Sequence, residues 1–199
     1  MSDQSNLKPL EPTPNVEHIK KFKAGDLNDL CDATDEAIEG GGGFGWVKLP
    51  SREKLERYWN GVLAMPAREL FVARLDGVIC GTCQLLKPPT NNEAQSFAVQ
   101  LTTNFVAPWA RGHGLARMLI QESEKFALSD GFSVINLDVR ETLREAMALY
   151  EHLGYHRIGE HPAYALVDNK VLKGYYYCKI ISPDIEKKAL KEISLATNS

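Results

Sequence analysis

The chain has 199 residues, 44% of them hydrophobic, which is enough for one well-formed core and too few for two domains of ordinary size. A net charge of −3 gives no sign of the clustered Lys and Arg surface that nucleic-acid binding needs, and no apolar run approaches the roughly 18 residues that span a bilayer. The first residues lack a signal-peptide pattern, and the four cysteines are too scattered for a disulfide framework or a metal site. We therefore predict one cytoplasmic domain with no membrane span, no nucleic-acid partner and no metal.

The amino-terminal segment is polar and contains three prolines, which predicts a mobile arm over residues 1–16. We expect the folded domain to cover residues 17–182. Apolar residues recur with helical period from Asp26 to Glu39, and acidic residues occupy the opposite side, so this segment predicts an amphipathic helix. The acidic face suits either solvent or a cationic acceptor, and solvent is the simpler interpretation.

A glycine-rich run, Gly40-Gly-Gly-Gly-Phe-Gly45, separates this helix from a second predicted helix over residues 51–63. The run lacks the Gly-Lys-Ser/Thr ending of a nucleotide-binding P-loop, so it does not predict that site. Two apolar runs, Leu70–Leu75 and Val78–Leu86, then flank Asp76-Gly77, a dipeptide typical of two-residue hairpin turns. The sheet is therefore predicted to begin with antiparallel strands.

The next predicted strand, residues 96–106, leads into the segment Val106-Ala-Pro-Trp-Ala-Arg-Gly-His-Gly-Leu-Ala116 and then into an apolar-periodic helix. Gly112 and Gly114 have no Cβ, so the backbone can curl and leave several N–H groups pointing the same way at the helix start. Such a terminus attracts anions, and Arg111 adds a cation that binds phosphate through two parallel hydrogen bonds. The segment predicts a pyrophosphate site, although glycines that serve only a tight turn would give the same local pattern.

A further strand is predicted at Val134–Val139, and the residues after it form a helix with clear end signals. Thr142 and Glu145 predict a capping box at its start, and Gly154 predicts its end. Apolar residues between them recur at helical spacing and include Tyr150 on the inward stripe. We therefore expect Tyr150 to face the core or a cleft.

This combination resembles the GNAT superfamily of acyl-CoA-dependent N-acetyltransferases. The family signature Arg/Gln-x-x-Gly-x-Gly/Ala, which holds the pyrophosphate of coenzyme A, is matched by Arg111, Gly114 and Ala116, and Ala-x-x-Leu-Tyr-x-x-x-Gly-Tyr is spelled out from Ala146 to Tyr155. The resemblance implies acetyl-CoA as cosubstrate. The cofactor-binding residues that it implies are Phe105, Val106, Arg111, Gly112, His113, Gly114, Leu115 and Ala116.

The resemblance also implies a reaction, in which a primary amine, on a small molecule or a peptide, attacks the thioester directly. Tyr150 matches the tyrosine that acts as general acid on the leaving sulfur, and a strand N–H near Phe105 or Val106 would polarise the carbonyl. Many members carry an asparagine seven residues before the tyrosine, where this chain has Leu143, and leucine cannot form that hydrogen bond. The alternative function is therefore a non-catalytic acyl-CoA-binding or regulatory module.

Two more strands are predicted at Tyr155–Ile158 and Val171–Ile181, before a charged tail over residues 183–199 that either adds a short helix or frays. The elements together predict an α/β (α+β) fold, with a mixed, mostly antiparallel, GNAT-like sheet of six to seven strands and helices on both faces. An exposed final strand offers an edge to a second copy of the chain, so a homodimer is predicted.

The sequence leaves the acceptor side open. Within the family the glycine-rich run borders the acceptor, so it is either a mobile lid with Phe44 and Trp46 at its tip or a plain loop anchored by a buried Trp46. No general base is assigned, because a water chain is sufficient. The titratable candidates are Asp138, Glu141, His156 and His161. Acceptors in the family range from small amines and amino acids to polyamines, aminoglycosides and protein N-termini, and the net negative charge favours a cationic amine.

Overall fold

The structure is a computed structural model that describes residues 11–42 and 45–197. Residues 1–10 of the predicted arm, Phe44 of the predicted lid and residues 198–199 of the predicted tail lie outside the described residues. The described elements are β1 (Pro14–Ile19), α1 (Asp26–Glu39), α2 (Arg52–Ala64), β2 (Arg68–Leu75), β3 (Val78–Leu86), β4 (Ala98–Val106), α3 (Leu115–Ser129), β5 (Val134–Arg140), α4 (Arg144–His152), β6 (His156–Val167), β7 (Lys170–Ile180) and α5 (Pro183–Thr197).

The seven described strands form a single sheet in the order β1-β2-β3-β4-β5-β7-β6. All neighbouring pairs are antiparallel except β4 and β5, so the predicted mixed, mostly antiparallel sheet is confirmed. Strand β2, which lies between β1 and β3, is buried at every position after Arg68, which requires cover on both of its faces. Helices α2 and α3 both pack on β2, and α1 packs on β3. No helix within the described residues is long and apolar enough to cross a membrane.

The one parallel pair opens a cleft in the sheet. Strand β4 pairs with β5 only along Ala98–Gln100, which face Val134–Asn136. Beyond these residues the two strands no longer pair with each other. A bulge lies in β4 beyond this point, because Gln84 of β3 faces Thr102 whereas Thr82 faces Phe105. The divergence of the two strands places the second half of β4 and the end of β5 on opposite walls of the cleft.

Several predicted boundaries hold and others do not. Asp76 and Gly77 both have positive φ, as the predicted two-residue hairpin requires, and Gly154 ends α4 with φ 86°. The capping box is wrong, since Leu143 is the N-cap of α4 and no side chain caps the helix. The arm boundary is also wrong, because β1 begins at Pro14, a position where an edge strand tolerates proline.

The last hairpin differs most from the prediction. Strand β6 continues from His156 to Val167 instead of ending at Ile158, and it joins β7 through a turn in which Asp168 and Asn169 have positive φ. Its register shifts between His161 and Ala165. Pro162 lies inside that irregular stretch. The chain accommodates this proline in a bulge, and the strand continues beyond it.

A buried carboxylate ties the first strands to the end of β3. Glu69 on β2 is 3% exposed and contacts His18 (Nε2 to Oε2, 2.8 Å), Lys20, and Lys87 (Nζ to Oε1, 2.9 Å). Burial raises the pKa of the Glu69 carboxyl, but hydrogen bonds from Lys20, Lys87 and His18 outweigh burial, and the net pKa is lowered. The carboxylate therefore stabilises the fold in its charged form.

Candidate active site

The cleft between β4 and β5 contains two adjoining cavities. The first, of about 540 Å³, lies beside the start of α3, and the second, of about 450 Å³, lies between β5 and the β6–β7 hairpin. We call them the donor cavity and the acceptor cavity. The residues that line both are Gly42, Asn104, Leu143 and Ala146. The two cavities therefore meet at these residues, and a group held in one can react with a group held in the other.

The start of α3 has the geometry of an anion site. Gly112 and Gly114 have φ values of 86° and 74°, which a residue with a Cβ rarely adopts, and a Cβ at either position would contact nothing within 4 Å. The helical ladder begins where the Met118 N–H donates to the Gly114 carbonyl at 3.0 Å, so the amides before Met118 point out of the helix terminus. Arg111 is exposed beside them. The turn thus combines backbone donors, a helix dipole and a cation.

The residues predicted to bind the cofactor divide into two groups. Phe105, Val106, Arg111 and Ala116 line the donor cavity. Gly112, His113, Gly114 and Leu115 shape the turn without lining the cavity wall. The His113 Nδ1 contacts the Ala110 carbonyl at 3.3 Å, and the Leu115 side chain is buried in the core.

The end of β4 offers one backbone donor to the cleft. The Ala107 N–H donates to the Cys80 carbonyl on β3 at 2.7 Å. Because N–H groups alternate in direction along a strand, the Val106 N–H points away from β3, toward the side where β5 has diverged. Of the two amides that the sequence suggested for polarising a carbonyl, Val106 is therefore the one oriented for it.

Tyr150 lies on α4 next to Asn104, one of the residues at which the cavities meet. Its side chain is buried, lines the acceptor cavity and accepts a hydrogen bond from Asn104 Nδ2 at 3.1 Å. Burial raises the pKa of the Tyr150 hydroxyl to about 12, although the bond from Asn104 opposes the shift. The phenol is therefore protonated at neutral pH, and because Asn104 occupies one lone pair, the proton is free to be donated elsewhere.

The acceptor cavity contains a hydrogen-bonded carboxylate. Asp138 on β5 accepts a bond from Gln100 Nε2 at 2.7 Å and a second from the Tyr164 hydroxyl. Burial, together with the bond to Asp138, raises the pKa of Tyr164 above its ordinary value. The Tyr164 ring lies over Gly174 of β7, where a side chain would occupy the space of the ring. The bulge in β6 thus brings Tyr164 back over the sheet and onto β5.

The other candidate bases lie outside the cavity walls. Glu141 accepts the Lys173 N–H at 2.9 Å, and His161 Nδ1 accepts the Ala163 N–H at 3.1 Å, so both are engaged in local structure. His156 is exposed on β6. Asp138 is the one predicted candidate that lines the acceptor cavity.

The glycine-rich run borders both cavities. Gly42 lines both of them, Gly45 lines the acceptor cavity, and the Gly41 carbonyl accepts a bond from Arg140 of β5 at 3.3 Å. Trp46 is half-buried, with its ring edge-on to Tyr58 at 6.4 Å. The loop is therefore attached to the cleft and is not anchored by a fully buried Trp46.

The acidic face of α1 takes part in the fold. Asp29 accepts the Ile79 N–H at 3.3 Å, and Asp32 binds the Arg52 guanidinium. Neither residue lines a cavity wall, so the face does not present a landing surface in the cleft.

Cysteine and metal chemistry find no support in the described residues. No group of three or more His, Cys, Asp or Glu is placed there to hold a metal ion. Burial raises the pKa of the Cys31 and Cys80 thiols to about 11 and that of Cys83 to about 12, so these thiols are not ionised nucleophiles.

Sequence reasoning missed two residues of the acceptor cavity, Arg140 and Tyr164. Arg140 could have been predicted from the sequence. It lies two positions after Asp138, next to the end of a predicted strand, and side chains two positions apart on a strand share a face. Tyr164 could not, because its place depends on the β6 bulge and on a contact with β5 that no local pattern encodes.

Comparison with known proteins supports the assignment of the fold. Residues 32–155 match the model of the acetyltransferase (GNAT) family. The chain is 64% identical over 129 residues to an uncharacterized N-acetyltransferase in the hisH-hisA intergenic region of Azospirillum brasilense, covering 65% of this chain and 77% of that protein.

Solved structures of acetyltransferases have the same architecture. An N-acetyltransferase from Staphylococcus aureus Mu50 superposes with a TM-score of 0.71 at 15% identity, covering 85% of this chain and 99% of that one. The structure of yncA from Salmonella typhimurium with its cofactor acetyl-CoA superposes with a TM-score of 0.69 at 13% identity, covering 85% and 95%.

Proposed function

The chain belongs to the acetyltransferase (GNAT) family, and on that premise we propose that it moves an acetyl group from acetyl-CoA to a primary amine by direct attack, with Tyr150 as general acid. The observation that carries the proposal is the meeting of the two cavities. A helix terminus suited to anions lies beside the donor cavity, and a carboxylate lines the acceptor cavity. A protonated Tyr150 also lines the acceptor cavity and is hydrogen-bonded to Asn104, one of the residues at which the cavities meet.

The donor cavity fits the proposed cosubstrate. Arg111 and the amides at the start of α3 would hold the pyrophosphate. The pantetheine arm would lie in the donor cavity, which has a total volume of about 540 Å³ and Phe105 and Val106 along one wall. Acetyl-CoA supplies an acyl group activated as a thioester. The Val106 N–H is the donor oriented to polarise its carbonyl.

Tyr150 provides the proton that the departing sulfur needs. As the amine nitrogen forms its bond to the carbonyl carbon, the carbon–sulfur bond breaks and the thiolate takes the phenolic proton. The amine releases one proton in forming the amide, and that proton goes through the water of the acceptor cavity, which restores the tyrosine. Leu143 adds packing and no hydrogen bond at the junction of the cavities, so Asn104 is the amide that orients Tyr150.

The test is Tyr150→Phe, with Tyr177→Phe as the matched control. Tyr177 is a buried tyrosine whose ring centroid lies 6.2 Å from that of Tyr150, and it lines neither cavity. We expect Tyr150→Phe to lower turnover by about tenfold or more while the calorimetric affinity for acetyl-CoA stays nearly constant. Tyr177→Phe should leave turnover near that of the unaltered protein.

Three outcomes would contradict parts of the proposal. Unchanged turnover in Tyr150→Phe would remove Tyr150 from the chemistry. Acetyl-CoA binding without release of free thiol, across a broad panel of amines, would favour the non-catalytic module. Absence of any heat on titration with acetyl-CoA would overturn the transferase assignment itself.

A further inference from the structure

The charges in the acceptor cavity limit what it can bind. Among its lining residues within the described part of the chain, Asp138 is the only acidic side chain and Arg140 the only basic one. Their formal charges cancel, so the cavity has no excess of negative charge to hold a polycation. This balance overrides the preference for a cationic amine that the net charge of the whole chain suggests.

The two charged side chains are arranged as a pair of subsites. Asp138 and Arg140 are two positions apart on β5, so they share a face of the sheet, with Cα atoms roughly 7 Å apart. Asp138 already accepts bonds from Gln100 and Tyr164, yet a carboxylate has about four lone-pair sites, so it can still accept bonds from an ammonium group. Arg140 donates from Nη2 to the Gly41 carbonyl at 3.3 Å, and its guanidinium carries five N–H donors in a planar arrangement that matches a carboxylate.

The remainder of the cavity is small, and its other described lining residues are either apolar or polar without charge. Its volume of about 450 Å³ suits a small molecule, and its apolar lining residues are Val47, Leu101, Val139, Leu143, Ala165, Leu166 and Val167. Val47 and Leu166 are 45% and 64% exposed, so the apolar surface extends to the mouth. A second charged group on the acceptor would find no partner along these walls.

From these observations we propose that the acceptor is a small zwitterionic amine with an uncharged side chain, such as a neutral α-amino acid, whose carboxylate binds Arg140 and whose ammonium group faces Asp138. The ammonium group gives one proton to solvent before the neutral amine attacks the thioester. The proposal rests on the proposed acetyl transfer and names its substrate class. A terminal peptide amine, which has no carboxylate beside it, and a polyamine, which has none at all, are disfavoured by the same pair of charges.

The test compares amino acids with the amines that lack only the carboxylate. We would measure kcat/KM, by release of free thiol from acetyl-CoA, for L-leucine against 3-methylbutylamine, L-methionine against 3-(methylthio)propylamine, and L-phenylalanine against phenethylamine. We expect at least one amino acid to exceed its matched amine by about tenfold or more, the effect of one charge-assisted hydrogen bond. Spermidine and a short peptide with a free N-terminus complete the panel.

Two variants and a control locate the effect. Arg140→Gln should reduce the ratio of kcat/KM between amino acid and matched amine by about tenfold, whereas Asp138→Asn should lower kcat/KM for both members of a pair. Lys170→Gln removes an exposed cation from the β6–β7 turn, outside the cavity lining, and should leave the ratio unchanged. Thermal unfolding of each variant would establish that it is folded.

The possible results separate this inference from the proposed function. Acetylation of matched amines as fast as the amino acids in every pair, or of spermidine or the peptide alone, would overturn the zwitterion while acetyl transfer stands. An unchanged ratio in Arg140→Gln would also overturn it. Release of thiol with none of the amines, despite acetyl-CoA binding, would overturn the proposed function and this inference together.

Discussion

Gly174→Ala gives the most direct test of how the acceptor cavity is built. A Cβ at Gly174 would lie 2.6 Å from both Cδ atoms of Tyr164, whereas ordinary contact begins at 3.4 Å. The ring must therefore retreat by at least 0.8 Å, the difference between these distances. That movement displaces the Tyr164 hydroxyl relative to Asp138, so we expect the hydrogen bond between them to be weakened.

The expected cost has two parts. Overpacking of this kind lowers the free energy of unfolding by about 1–3 kcal/mol. Displacement of Tyr164 also weakens one of the two bonds that hold Asp138, so we expect kcat/KM for the acceptor to fall by up to about tenfold. Acetyl-CoA affinity should change little, because neither Tyr164 nor Asp138 lines the donor cavity.

Urea unfolding and steady-state kinetics would measure both parts, with Gly159→Ala as the matched control. Gly159 lies in the same hairpin, but a Cβ there would be 3.5 Å from Tyr176 Cδ2, an ordinary contact. A second test is to make Gly174→Ala in a Tyr164→Ala background, where the ring is gone and the added methyl should cost little. If Gly174→Ala were as harmless as Gly159→Ala, or equally costly without the Tyr164 ring, the reasoning would be refuted.

Two further predictions concern ionisation. Because burial raises the pKa of Tyr150 to about 12, kcat/KM should rise with pH as the amine loses its proton and show no falling limb below about pH 10.5; a limb below that pH that disappears in Tyr150→Phe would contradict the assignment. Glu69→Gln should lower the free energy of unfolding by about 3 kcal/mol at pH 7. Because the folded-state pKa of Glu69 is lowered, its contribution is present above the ordinary glutamate pKa of 4.5 and is lost as the pH falls through the folded-state pKa, so the two proteins should converge in acid. The exposed control, Glu53→Gln, should cost no more than about 0.5 kcal/mol, and a pH-independent gap for Glu69→Gln would exclude the charge as its cause.

Local patterns were sufficient for much of the fold. The predicted bounds of α1 and β3 match the structure, and the Asp76–Gly77 turn has the positive φ values that its residues favour. In each of these segments, a local sequence pattern (an apolar period or a glycine turn) favours the same structure that the tertiary packing requires. The start of α3 belongs to the same class, since Gly112 and Gly114 adopt conformations that their lack of a Cβ permits.

The acceptor side could not be predicted in this way, because its geometry comes from long-range contacts. The bond between Asn104 and Tyr150 joins β4 to α4, and the bond between Tyr164 and Asp138 depends on the register shift within β6. Pro162 suggests a strand end to any local reading, although the chain accommodates it in a bulge. Sequence periodicity carries no information about which distant strands face each other across a cleft.

The residues shared by the two cavities have a consequence for the path of proton transfer. The donor cavity and the acceptor cavity meet at four residues, none of which has an ionisable side chain: Gly42, Asn104, Leu143 and Ala146. In the proposed reaction, a proton that leaves the amine therefore meets no ionisable side chain at this junction; it passes through the acceptor cavity to solvent, and solvent returns a proton to Tyr150. The proposed reaction would thereby keep the pyrophosphate of acetyl-CoA and the ionic groups of the proposed acceptor on opposite sides of an uncharged junction.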